Sequence, residues 1–132
     1  MIEIVAAVIQ DQEGRVLLVR KRGTLAFMQP GGKRDGGEDN LTALARELRE
    51  ELGCRLEPSS AVHLGTFEAS AANEAGRRVR AAVYKVRVSG VTSPQAEIEE
   101  LVWIDPDDAA GLVLAPLTRE YVLPRIVTRL AG

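Results

Sequence analysis

The strongest periodic pattern in the chain is a helical one that starts after Asp39 and stops at Gly53. Its apolar residues recur three and four positions apart and so share one face of a helix; they are Leu41, Leu44, Ala45, Leu48 and Leu52. Asp39 suits the N-cap, where a short side-chain acceptor is favoured, and Gly53 suits the left-handed position that ends many helices. The pattern predicts one helix with a buried face and two specified ends.

Alternating and apolar runs predict strands on both sides of this helix. Three strands are expected before it, at residues 3–10, 15–20 and 26–28. The first two are joined through residues 11–14, which have the character of a hairpin turn. Four strands are expected after the helix, with a turn at 73–76, and they lie at residues 54–56, 62–69, 77–88 and 101–104.

The last periodic segment, residues 117–130, predicts a C-terminal helix. Thr118 is a candidate N-cap for it, and Pro124 either kinks the helix or starts its second half. Mixed strands with a helix on each side predict an α/β fold in the form of a sandwich.

Length and composition limit what the chain can be. With 132 residues, 45% of them hydrophobic, it can bury one core, and we expect a single domain over residues 1–132. The net charge of −2 and the pI near 5.5 lack the basic excess of proteins that bind long nucleic acids or membrane surfaces. Any nucleotide partner is therefore expected to be small.

Cysteine use and the N-terminal sequence indicate the compartment. Cys54, the single cysteine, cannot form an intramolecular disulfide, and the N-terminus lacks the charged start and cleavage site of a signal peptide. No apolar run approaches the length of a membrane span. We expect a cytoplasmic protein without a membrane partner, and the sequence leaves open whether it is a monomer or a homodimer.

The polar face of the predicted helix carries the candidate chemistry. Glu47, Glu50 and Glu51 fall at i, i+3 and i+4, so their carboxylates converge on one face and repel unless a cation joins them. A solvated face, partly neutralised by Arg46 and Arg49, is the alternative. The glycine-punctuated loop before the helix favours the first interpretation, because glycines let the backbone approach a ligand closely.

The spacing of these residues resembles the Nudix box, over residues 32–54. The matching pattern is Gly32, five residues, Glu38, seven residues, and then Arg46-Glu47-Leu48-x-Glu50-Glu51-x-Gly53-Cys54. Cys54 is a mild departure, since the family usually carries an aliphatic residue there. Residues 27–33 and 97–104 resemble the segments that flank the box, so the resemblance spans most of a small domain and implies a Nudix-type α/β/α sandwich with a mixed sheet and a catalytic loop-helix-loop.

The resemblance also implies a metal site. Glu50 and Glu51 correspond to ligands of a divalent metal, helped by the Gly31 carbonyl, and Mg²⁺ or Mn²⁺ is the expected cofactor because hard cations prefer oxygen donors. Glu47 corresponds to a position assigned either as general base or as a further ligand, and both roles stay open.

Other box residues are expected to support this site. By resemblance, Arg46 orients Glu47 through a charge-assisted hydrogen bond. Glu38 is either an outer ligand or an acceptor for backbone amides, and a cap between loop and helix is an equal alternative. Gly32 and Gly53 are structural residues of the box.

A further carboxylate, Glu97, lies in the loop where related enzymes often keep a base or metal ligand. The alternative is a solvated charge beside Glu99 and Glu100. By resemblance, Glu97 joins Glu47 and Arg46 as a catalytic candidate.

Aromatic and apolar side chains on predicted strands are candidates for contact with a nucleobase. Phe27, Met28 and Tyr84 are chosen from their strand positions alone. His63 has no second histidine nearby and Trp103 lies in an apolar strand, so structural roles are expected for both.

The resemblance implies attack of water on phosphorus in a diphosphate bridge. The favoured substrate is a nucleoside triphosphate, or its deoxy or oxidised form, cleaved to monophosphate and pyrophosphate in the manner of MutT-like enzymes. ADP-ribose or another nucleoside diphosphate sugar is the second candidate. A non-catalytic nucleotide-sensing module is disfavoured, because such a module is expected to lose carboxylates that this chain keeps.

Overall fold

The computed structural model describes residues 1–90, 92–109 and 111–126. In chain order its strands and long helix are β1 (Ile2–Val8), β2 (Val16–Lys21), β3 (Phe27–Met28), β4 (Gly31–Lys33), α1 (Asn40–Leu52), β5 (Arg55–Leu56), β6 (Val62–Ser70), β7 (Arg78–Lys85), β8 (Val88–Ser89) and β9 (Ile98–Ile104). A 3-10 turn at Pro58–Ser60 precedes β6. A C-terminal helical segment, residues 116–126, ends the described chain.

β1 separates the two halves of the core. Val5 and Ala7 pack in the cluster that contains the leucines of α1, whereas Ala6 and Val8 pack in the cluster that contains the C-terminal segment. Successive side chains of a strand point to opposite faces, so a strand that is apolar throughout is buried on both sides. The result is the predicted α/β/α sandwich.

The sheets place the glycine loop beside the core. β1 lies inside a mixed sheet of order β4-β1-β7-β6, antiparallel to β4 and parallel to β7. Its register pairs Ala6 with Gly31 and Val5 with Gly32. A second sheet has the order β3-β2-β9, and β5 pairs with β8. The loop that starts at β4 is therefore held against β1 on one side and leads into α1 on the other.

α1 has the ends that its sequence predicts. The Thr42 N–H donates to Asp39 Oδ1 at 2.8 Å, and Gly53 adopts a left-handed φ of 72° while its N–H donates to the Arg49 carbonyl at 3.0 Å. Leu44, Leu48 and Leu52 are fully buried. Among the described residues, no helix has the length and apolar character needed to cross a membrane.

The predicted hairpin at residues 11–14 is only partly correct. The turn forms, and the Gly14 N–H donates to the Asp11 carbonyl at 3.0 Å. However, β1 and β2 approach each other through a single bridge, Gln10–Val16, and then enter different sheets. The reason is that β4 and β7 occupy both edges of β1, so β2 pairs with β3 and β9 instead.

The strand predicted at 77–88 is divided in the structure. β7 ends at Lys85, the Val86 N–H donates to the Val8 carbonyl at 3.1 Å, and β8 then pairs with β5. The alternation of side chains continues across this break, so the sequence does not show where the strand changes its partner. β9 starts at Ile98, three residues before the predicted strand.

Thr118 is not the N-cap predicted for the C-terminal helix. Helical structure begins at residue 116, and Thr118 lies inside it, 0% exposed, with its hydroxyl donated to Gln29. A wider π-helical turn covers Thr118–Val122, just before Pro124, and the Leu123 N–H donates to the Thr118 carbonyl. The predicted continuation at 127–130 lies outside the described residues.

Candidate active site

A cavity of about 380 Å³ opens between β1, β4, α1 and the start of the C-terminal segment. This volume suits one small ligand. Its charged lining residues are Lys21, Lys33, Glu47, Glu51, Glu74 and Glu97. Its apolar lining includes Ile4, Val79 and Leu117. Charged groups and apolar walls are thus combined in one cleft.

Glu51 is the buried acid of this cleft. It is 2% exposed, and its Oε1 accepts the Gly31 N–H at 3.0 Å. Burial raises the pKa of the Glu51 carboxyl to about 8, and the neighbouring charge of Glu47 acts in the same direction. Glu51 is therefore not part of a solvated helix face.

Glu47 lies against Gly32. A Cβ on Gly32 would stand 2.6 Å from the carboxyl carbon of Glu47, so a side chain there would displace the carboxylate from this position. Arg46 Nη1 donates to Glu47 Oε1 at 3.0 Å. Burial raises the pKa of Glu47, and the bond from Arg46 acts against that rise. The carboxylate is held between a glycine and a guanidinium.

Arg46 joins the loop to the helix. Its Nε and Nη2 donate to the two oxygens of Glu38 at 2.8 and 2.9 Å, and Nη2 also donates to the Lys33 carbonyl at 3.0 Å. The Asp35 N–H adds a third bond to Glu38, at 2.8 Å. The bonds from Arg46 and Asp35 lower the pKa of Glu38 to about 2, and the bond to Glu38 raises the pKa of Arg46. This two-point geometry fixes the guanidinium beside Glu47.

Glu50 and Glu97 are more open to solvent. The Glu50 side chain is 52% exposed and lies 3.4 Å from Arg46 Nη1. The Glu97 side chain is 61% exposed and forms an ion pair with Lys21 Nζ at 3.5 Å. Lys21 lines the cavity together with Glu47 and Glu51, and its positive charge acts to lower the pKa of both carboxyls.

The structure brings the expected metal ligands close without closing a site. Within the described part of the chain, no three His, Cys, Asp or Glu side chains are arranged around a common ion position. Arg46 contacts Glu47 and Glu50, and Gly31 contributes its N–H to Glu51. The donor chemistry nevertheless fits a hard divalent cation, because the carboxylates supply oxygen only and burial raises the pKa of two of them.

The residues expected near a nucleobase are distributed over different parts of the fold. Met28 lines the cavity. Phe27 is buried in the core on the C-terminal side, and Tyr84 packs on His63 with ring centroids 5.0 Å apart while its hydroxyl accepts from Asn40 Nδ2 at 3.0 Å. Phe27 and Tyr84 lie outside the cavity lining.

Sequence reasoning missed Gln29, Thr118 and Lys21 as lining residues of the cavity. A signal for Gln29 was present, since it is the one polar side chain between residues 26 and 30. For Thr118 the sequence indicates only a helix cap. Lys21 gave no local signal, because its position beside the acids depends on how β2 is placed against α1 and β9.

Comparison with known proteins extends this description. A family model described as NUDIX domain matches residues 2–126. The chain is similar to the CTP pyrophosphohydrolase of Escherichia coli (strain K12), with 35% identity over 123 residues, which cover 88% of this chain and 84% of that protein.

Solved structures of other proteins are also similar to this chain. The solution structure of the E. coli ORF135 protein has a TM-score of 0.75 and 29% identity, covering 99% of this chain and 89% of that one. The crystal structure of MutT NUDIX hydrolase from Burkholderia pseudomallei has a TM-score of 0.75 and 26% identity, covering 97% of this chain and 96% of that one.

Proposed function

The chain belongs to the NUDIX family, and from that premise we propose that it hydrolyses a nucleoside triphosphate, or its deoxy or oxidised form, to monophosphate and pyrophosphate. The general reaction, hydrolysis of a phosphoanhydride bond in a nucleotide, follows from the family and from its named pyrophosphohydrolase relatives. The choice of a triphosphate is supported by the relative named for CTP.

One observation carries the proposal at the level of the site. A carboxylate that is almost fully buried, Glu51, is bonded to the glycine loop at the wall of a cavity large enough for a small ligand. Burying an ionised acid is costly unless it is paired and hydrogen-bonded, and a strongly perturbed acid in a cleft is typical of a functional site. A purely structural role would be served better by an apolar side chain.

A divalent cation, Mg²⁺ or Mn²⁺, would be held by Glu47, Glu50 and Glu51 with the Gly31 carbonyl. When bound, such an ion stabilises negative charge on phosphate oxygens and lowers the pKa of water. Glu47 and Glu51 line the cavity, whereas Glu50 lies outside its lining with a side chain that is 52% exposed.

The chain's own residues orient the reacting groups. Arg46 keeps the Glu47 carboxylate turned toward Gly32, because Glu38 and the Lys33 carbonyl hold the guanidinium in place. Lys21 places a positive charge among the acids and is suited to meet an anionic phosphate. Positioning of this kind is a major source of catalysis in phosphoryl transfer.

Two carboxylates are candidates for the proton acceptor that activates water. Glu47 is held in the cleft with a pKa that burial raises, which moves it toward the range useful for a general base. Glu97 lines the same cavity, is far more exposed and is paired with Lys21. Separate substitutions, Glu47→Gln and Glu97→Gln, distinguish them through the acidic limb of the pH–rate profile.

The proposal is tested by hydrolysis assays with Mg²⁺ and a panel of nucleoside triphosphates, oxidised guanine nucleotides, ADP-ribose and dinucleoside polyphosphates. We expect the highest kcat/KM for a triphosphate, with pyrophosphate as the second product. Glu51→Gln should lower kcat by at least about a hundredfold, the usual cost of removing a main electrostatic stabiliser. Glu13→Gln, at an exposed acid in the β1–β2 turn, is the matched control. A clear preference for ADP-ribose would replace the triphosphate assignment by the nucleoside diphosphate sugar.

A further inference from the structure

Gln29 is a buried polar residue at the cavity wall. It is 5% exposed and lies between β3 and β4, and its Oε1 accepts the Thr118 hydroxyl at 2.8 Å. Thr118 is itself 0% exposed, and both residues line the cavity. The bond joins segments 89 residues apart, so it depends on the packing of the C-terminal segment against the strand that leads into β4.

The amide nitrogen of Gln29 has no hydrogen-bond partner in the part of the chain that the structure describes. Among the described residues, Gln29 Nε2 is the buried side-chain nitrogen or oxygen that makes no hydrogen bond. Buried polar groups in native proteins are nearly always bonded, and a buried donor left unpaired is costly. Thr118 engages the oxygen side of the amide, so the two N–H groups are the side left for another molecule.

The surroundings of Gln29 indicate what kind of molecule would accept a hydrogen bond from its amide nitrogen. Gln29 precedes Gly31 by two residues, so the two Cα atoms are at most about 7 Å apart. The Gly31 N–H marks the acidic part of the cleft, whereas the lining near Thr118 includes the apolar side chains of Ala115 and Leu117. A nucleotide has the matching form, with a charged phosphate end and a flat, largely apolar base that carries acceptors on its edge.

We propose that Gln29 is a specificity-determining residue that donates a hydrogen bond from Nε2 to a carbonyl oxygen on the edge of the substrate's nucleobase. Thr118 is a positioning residue, because its hydroxyl donates to Oε1 and so fixes the orientation of the amide that carries Nε2. The inference rests on the proposed function, since it assigns the base subsite of the same cleft. Bases with a carbonyl group, such as cytosine, should bind better than adenine, which has no carbonyl oxygen.

The first test uses binding, so it does not depend on turnover. Affinities of CMP, AMP and ribose 5-phosphate are measured by calorimetry for the parent, Gln29→Met and the surface control Gln12→Met. We expect the parent to bind CMP more tightly than AMP, and Gln29→Met to lose about tenfold to a hundredfold in CMP affinity with ribose 5-phosphate unchanged. The Gln29 side-chain amide resonances should shift when CMP is added and stay in place with ribose 5-phosphate.

The second test separates recognition from a structural role. Thr118→Val removes the orienting hydroxyl and should bring the CMP to AMP affinity ratio toward one, whereas Thr118→Ser keeps the hydroxyl and should restore the preference. Equal losses of CMP and ribose 5-phosphate affinity in a folded Gln29→Met protein would overturn the proposal, because they would make Gln29 a general packing residue. Equal binding of CMP and AMP by the parent would also overturn it and would fit a buried water on Nε2. Absence of triphosphate hydrolysis would instead count against the proposed function, which these binding measurements do not use.

Discussion

Glu51 and Gly31, 20 residues apart, meet where β4 packs against α1: the Gly31 N–H donates to Glu51 Oε1 at 3.0 Å. Gly31 has a φ of 152° and pairs with Ala6 of β1, a conformation and a close approach that a side chain would disturb. One neutral donor compensates a buried carboxylate only in part, which is why the pKa of Glu51 remains raised. The acid is fixed in place and is incompletely neutralised.

The stability of the metal-free protein should therefore depend on Glu51 and pH. A carboxyl whose pKa is higher in the folded state than in the unfolded state makes the protein less stable as pH rises between the two values. For Glu51 this window runs from 4.5 to about 8. We expect Glu51→Gln to raise Tm relative to the parent at pH 8 and to have little effect near pH 4, as measured by thermal unfolding in chelator.

Glu50→Gln is the control for this experiment, because Glu50 is exposed on the same helix. It should shift Tm by a similar small amount at both pH values. A Glu51→Gln protein that is less stable than the parent at pH 8 would contradict the assignment of Glu51 as a poorly compensated buried acid.

A divalent cation should stabilise the folded protein, because it binds an arrangement that the unfolded chain lacks. Saturating Mg²⁺ at about a hundred times its Kd should add about 2.7 kcal/mol to the free energy of unfolding. At a fixed Mg²⁺ concentration the gain should be larger at pH 8 than at pH 6, since protons compete with the metal for Glu51 and weaken its binding. Differential scanning calorimetry measures both effects, and Glu51→Gln should abolish most of the gain. An equal Mg²⁺ effect in parent and variant would place the ion elsewhere.

Gly32→Ala should displace Glu47 while leaving the core intact. The new Cβ would lie 2.6 Å from the Glu47 carboxyl carbon, so the side chain must move out of the position that Arg46 gives it. We expect kcat to fall by at least about tenfold, as for a misplaced catalytic group. Gly36→Ala, in the same loop with no atom within 4 Å of the new Cβ, is the matched control and should retain activity. Loss of activity in both variants would indicate a general need for loop glycines.

Glu38→Gln should weaken the support of Arg46. Glu38 has a pKa lowered to about 2 in the folded state, so its contribution to stability is present above pH 4.5 and is lost as pH falls toward about 2. The variant should have a lower Tm than the parent at pH 7, and the difference should shrink as the solution is acidified. Its kcat should also fall, because Arg46 then orients Glu47 less firmly. A constant Tm difference across this pH range would show that the side chain acts through packing and not through charge.

Local parts of the structure could be predicted well from the chain. The helix formed with both predicted ends, because a cap depends on a few neighbouring residues. The predicted strands lie close to the observed ones for the same reason, since the alternation of apolar and polar side chains is a property of each segment. Pairing was less predictable: β1 and β2 enter different sheets, and the strand expected at 77–88 changes partner after Lys85. Which strands pair depends on which segment occupies each sheet edge, and that segment is often distant in sequence.

The three acids of α1 also show which properties of the site the sequence predicts and which depend on the fold. Their spacing predicts that Glu47, Glu50 and Glu51 share one face of the helix, but it does not distinguish how far each carboxylate is buried. In the fold Glu51 is buried and Glu50 is half exposed. The difference arises because β4 packs against α1 at Glu51, where the chain folds back so that Gly31 meets a residue 20 positions later.

By itself the sequence determined the box, its loop-helix-loop and the family that these residues indicate, because each is encoded in short-range spacing. Only the tertiary structure decided that Lys21 faces the acids and that Thr118 bonds to Gln29 instead of capping a helix. Residues far apart in the chain acquire a shared environment only when sheets and helices pack, and burial, pKa and unpaired donors are properties of that environment.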